Sequence, residues 1–160
     1  MANEQNFLTK IDTVVVSGVK RFVAREHMPE FNVGEMTDTF DRLFLDKVEE
    51  NVADDVIAVH HVNRRCTDGP ILNELGRRAE IKLFHFLELI KAQNDGKLGP
   101  LDVYDSGNGA HIRGSDGNLW NVMSVYRKDF KCWFIITAPI ILDPSDTCSP
   151  GDFRLLSYDL

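Results

Sequence analysis

Apolar positions follow two different rhythms along this chain of 160 residues. Up to about Gly96 they recur at steps of three and four, the spacing of one helical face. Beyond Pro100 they gather into short runs rich in aromatic and β-branched residues, separated by Gly-containing turns, which is the grammar of strands. Together these predict an α+β fold: about three N-terminal helices packed on a C-terminal antiparallel meander of about five strands. One domain over residues 1–160 is expected, helical over about 5–96 and sheet over about 100–160.

The first helix is predicted from about Asn6 to His27, because Phe7, Ile11, Val14, Gly18 and Phe22 share one helical face. Val14-Val15-Val16 followed by Ser17-Gly18 is poor helix material, so burial would have to stabilise it, and Met28-Pro29 ends it. A second helix starts at Thr37 or Asp38, which can accept from the free amides of a first turn, and turns Phe40, Leu43, Phe44, Val48 and Val52 inward. Asn51 to Asp55 interrupts it. Val56 to Val62 fits either a helical turn or a short strand, and helix is the assignment taken. The third helix has the clearest signals. Thr67-Asp68-Gly69-Pro70 opens it, Leu72, Leu75, Ala79, Leu83, Phe86, Leu87 and Ile90 trace its buried face, and Asn94-Asp95-Gly96 closes it.

The meander is predicted to run through Leu101–Asp105, Ala110–Arg113, Leu119–Tyr126 and Phe130–Ala138, with Asn-Gly and Asp-Gly steps at its hairpins. Trp120, Val122 and Tyr126 alternate with Leu119, Met123 and Val125, so both faces of this sheet carry large apolar groups and both need covering. Helices supply one cover; a ligand pocket or a second protomer supplies the other. Pro139 and Pro144 make Ile140-Ile141-Leu142 an edge or exit, Asp143 to Asp152 reads as a loop, and Phe153 to Tyr158 as a returning last strand.

The formal net charge of −7, with no basic stripe, argues against nucleic acid as a partner. The first residues hold no basic stretch before an apolar run, and the longest apolar run, Cys132 to Leu142, is too short and too interrupted to span a bilayer. A cytoplasmic protein without membrane contact is therefore expected. The three cysteines are odd in number and far apart, so free thiols are predicted and no metal or cofactor is expected.

His60-His61-Val62-Asn63-Arg64-Arg65-Cys66 is the densest cluster of functional side chains. Guanidinium forks beside a helix start suit a carboxylate or phosphate. Metal spacing is absent, since the histidines are adjacent and no C-x-x-C pair exists. Gly107-Asn108-Gly109 fails as a phosphate loop because Ile112 stands where a third glycine is required. A non-catalytic module binding a small molecule or a protein, and homodimeric through its sheet, is the reading taken. Its pocket is expected between the Trp120/Val122/Tyr126 face and the helices, lined by His61, Arg64, Arg65, His111, Trp120 and Tyr126. The alternative is a small hydrolase or lyase using His111 or His61 as base with Asp105 as its partner.

Overall fold

The N-terminal half is built mainly of strands. A computed structural model describes residues 6–64, 66–143 and 153–159. Leu8–Val16 (β1) and Val19–Val23 (β2) occupy the stretch predicted as the first helix. They pair antiparallel with Asp55–Val62 (β5) and Val48–Val52 (β4), and Val16↔Asp55 and Val19↔Val52 keep one register, so the four pieces form a single kinked ribbon. Gly18 stands at the kink, where a Cβ would collide with the Val52 carbonyl oxygen. The β-branched run Val14-Val15-Val16 therefore follows its intrinsic preference. The helical spacing of Phe7, Ile11 and Val14 arises because β1 is an edge strand whose register slips between Lys10 and Asp12, breaking a two-residue alternation.

The second predicted helix begins as expected at Asp38 but is brief. Asp38–Phe40 (α1) widens into a turn over Asp41–Leu45 that buries Phe40, Leu43, Phe44 and Leu45, and β4 follows at once. Thr37 does not cap it with its side chain; its hydroxyl oxygen accepts from the Thr137 amide instead. Val33–Met36 (β3) precedes it. The third predicted helix is two helices, Asp68–Leu75 (α2) and Leu83–Ala92 (α3), parted at Gly76, whose φ of 57° leaves the helical region.

Beyond these, Asn108–Arg113 (β6), Leu119–Arg127 (β7) and Cys132–Pro139 (β8) form the expected antiparallel meander, with three strands rather than five. Residues 101–105 are irregular, held by the Asp102 carboxylate, which accepts from the Tyr104, Ser106 and Gly107 amides. The last strand, Arg154–Tyr158 (β9), does not extend the meander. It lies between β5 and β6, antiparallel to the first and parallel to the second. The result is a seven-stranded mixed sheet ordered β1-β5-β9-β6-β7-β8-β3, with β3 parallel to β8. The predicted arrangement of three N-terminal helices on an antiparallel meander is thus replaced by a mixed sheet that the N-terminal half itself helps to build.

The two main helices cover opposite faces. Neighbouring residues of a strand point to opposite sides, and Leu156, Ala110, Ile112, Val122, Trp133 and Ile135 share a core with α3, whereas Val62 and Leu155 share one with Ile71 and Leu75 of α2. The chain crosses from one face to the other where β9 and β6 diverge, as Glu80 bridges to His111 and the Ile81 amide donates to the His111 carbonyl. Tyr126 and Trp133 pack edge to face on the α3 side and donate to the Asp95 and Gln93 carbonyls beyond the end of the helix.

Helix α3 is apolar almost throughout, and its start is capped from a distance. Glu49 of β4, nearly fully buried, accepts from the Leu83 and Phe84 amides at 3.0 and 2.8 Å and pairs with Lys47 at 3.2 Å. Replacing Glu49 with Ala leaves two buried helix amides without an acceptor, and a loss of about 2–4 kcal/mol is expected. A fall in the urea midpoint at unchanged m-value measures it, and a variant as stable as wild type contradicts the assignment.

Candidate functional site

The second face of the sheet carries a cavity of about 210 Å³. Five adjacent strands each supply a residue to its floor: Val62 of β5, Leu155 of β9, Gly109 of β6, Asn121 and Met123 of β7, and Ala138 of β8. The start of α2 roofs it with Cys66, Thr67, Asp68 and Ile71, and Ile141, Phe153 and Ser106 close its sides. The smallest side chain on this floor is that of Ala138. The Phe153 ring lies against bare Gly109, where a Cβ would collide with it.

One end of this cavity is polar. Asp68, the first residue of α2, has a buried carboxylate whose Oδ1 lies 2.9 Å from His111 Nε2 and whose Oδ2 accepts from Asn121 Nδ2 at 2.7 Å and the Ile141 amide at 2.5 Å. Its own amide donates to the Ile141 carbonyl, so the chain leaving β8 is locked to α2 in both directions. Since the carboxylate only accepts, Nε2 of His111 must carry the proton. The other ring nitrogen, Nδ1, is buried without a partner among the described residues. Asn121 spends its second amide hydrogen on the Pro139 carbonyl, which fixes its carbonyl oxygen as an acceptor. Burial pushes the Asp68 carboxyl up, but the bonds from His111, Ile141 and Asn121 outweigh that and hold it below the ordinary carboxylate range.

The residues expected to line a pocket are dispersed. His111 belongs to this cluster, fully enclosed. His61 is half-buried in β5, its Nδ1 3.4 Å from Asn63. Arg64 stacks over the Phe7 ring at 3.9 Å, and Arg65 lies outside the described residues, as does most of the predicted loop from Asp143 to Asp152. Trp120 and Tyr126 are on the α3 face, Trp120 donating to Asp116, and that face is filled by core side chains. Asp105 faces Arg127 at 3.7 Å, not His111. The sequence places Asp68 at the opening of a helix, as found, but as its capping carboxylate, which it is not: α2 has no side-chain cap, and the Asp68 carboxylate turns instead to His111 and Asn121, 43 and 53 positions away. No group of three or more His, Cys, Asp or Glu among the described residues is placed to hold a metal. No helix among them is long and apolar enough to cross a membrane. Comparison with known proteins finds no matching family, no matching curated relative and no matching solved structure.

Next to the cavity on β5 and β9, His60 is buried against Ser157 at 2.8 Å, and burial with Arg78 and Lys10 nearby pushes it down to about 4 from an ordinary 6.5. His85, whose Nδ1 lies 2.8 Å from the Tyr158 hydroxyl, is also lowered by burial. Both are neutral in the fold, so the unfolded chain protonates first as pH falls. The contribution of His60 to stability is therefore full above about 6.5 and declines towards 4. His60→Gln should reduce the proton uptake on unfolding by about one in that window, read from urea midpoints against pH; an unchanged slope refutes it.

Proposed function

We propose that this protein is a non-catalytic binding module whose ligand is a small, mainly apolar molecule held in the cavity beneath α2. The observation that carries this reading is the cavity itself, an apolar trough with a single cluster of fixed polar groups at one end, the usual composition of a small-molecule site. Apolar cavities of about 150 Å³ admit benzene. The volume here, about 210 Å³, suits a single ring with a short chain and excludes a nucleotide.

What favours binding over acid–base chemistry is the state of the His–Asp pair. The His111 ring is wholly enclosed and its Nε2 is committed to Asp68, while Asp68 also ties Asn121 and Ile141. A general base must come within hydrogen-bond reach of a substrate proton. His111 serves instead to fix Asp68, bonded to its Oδ1 and not itself among the lining residues.

Titration with 4-fluorotoluene, followed by fluorine NMR, tests the reading. Saturable binding is expected for the wild type, and Ala138→Phe, which grows a ring from the floor, should abolish it while the protein remains folded. Absence of saturable binding, or equal binding by the filled variant, contradicts the proposal.

A further inference from the structure

The polar end of the cavity presents acceptors and one buried negative charge. A carboxylate offers about four acceptor positions, and three are taken at Asp68, by His111, Asn121 and the Ile141 amide. None of these donors is a lysine or arginine, and no lysine or arginine is among the described residues lining the cavity. The carbonyl oxygen of Asn121 has no donor among the described residues, and Thr67 and Ser106 line the same space. A buried carboxylate gains most from a donor that also carries the opposite charge. An anionic ligand meets the reverse: a fixed negative charge and no lysine or arginine among the described lining residues to answer it.

We infer that the ligand is a small primary amine, its ammonium placed against Asp68 and its apolar body along the floor towards Met123 and Leu155. The ammonium brings three N–H donors to a place that offers Asp68 Oδ1 and the Asn121 carbonyl as acceptors. The apolar body accounts for the remaining walls, Ile71, Met123, Phe153 and Leu155 among them. This rests on the cavity being the binding site, as proposed above.

Four fluorinated probes of one shape separate the two claims: 2-(4-fluorophenyl)ethylamine, its N,N,N-trimethyl derivative, 2-(4-fluorophenyl)ethanol and 4-fluoroethylbenzene, each titrated at pH 7 and low salt. The amine should bind wild type at least about tenfold more tightly than the alcohol, and the trimethyl derivative, charged but without N–H groups, should lose most of that advantage. Asp68→Asn should level amine and alcohol while still binding 4-fluoroethylbenzene. The wild-type ranking stands by itself should that variant fail to fold. Alcohol or ethylbenzene binding as tightly as the amine overturns the amine assignment and leaves the cavity as an apolar site. Failure of all four probes to bind overturns both.

Discussion

A carboxylate taken out of water must be answered by donors, and the arrangement of this protein's second face follows from how Asp68 is answered. Its partners come from three places: a histidine on β6, an asparagine on β7, and a backbone amide just beyond β8. Satisfying them pins the start of α2 over the middle of the sheet. That position leaves the trough open beneath the helix, over a floor whose smallest side chain is Ala138. The same constraint that holds the helix thus sets the chemistry of the cavity it roofs.

The floor exists only because β9 arrives. The ribbon of β1 and β5 and the meander of β6, β7 and β8 share no direct pairing; β9 hydrogen-bonds to both and turns two separate sheets into one. Its side chains then serve each face in turn. Leu155 lines the cavity and Ser157 meets His60 on one side, while Leu156 enters the main core and Tyr158 reaches His85 and the Lys82 amide on the other. Burial leaves the Tyr158 hydroxyl pushed up to about 12, a neutral donor in a neutral network.

Local signals were legible wherever local physics decided the outcome. The hairpins of β6–β8 are visible in their turn residues, and the starts of α1 and α2 and the returning strand near the C-terminus fall where the sequence places them, although neither helix is capped by a side chain. The N-terminal ribbon is not legible from spacing because an edge strand with a register slip does not alternate cleanly, and its β-branched run carries the better signal. The division of one predicted helix into two on opposite faces was hidden because Leu72 to Ile90 keeps helical spacing across Gly76. At the site, the sequence places His111 beside Asp105 across a tight hairpin, but Asp105 pairs with Arg127. The true partner of His111 comes from α2, across the sheet, by a topology that no spacing encodes.

The central claim is that the space beneath α2 receives a ligand with its amine end at Asp68. Intermolecular nuclear Overhauser effects between 2-(4-fluorophenyl)ethylamine and the methyl groups of the protein test it most directly. Ring protons are predicted to contact Met123 and Leu155, and the methylene beside nitrogen to contact Thr67 and Ile71, the residues flanking the carboxylate. Contacts confined to exposed groups such as Ile136 or Leu142, or the reverse orientation within the cavity, would contradict the account.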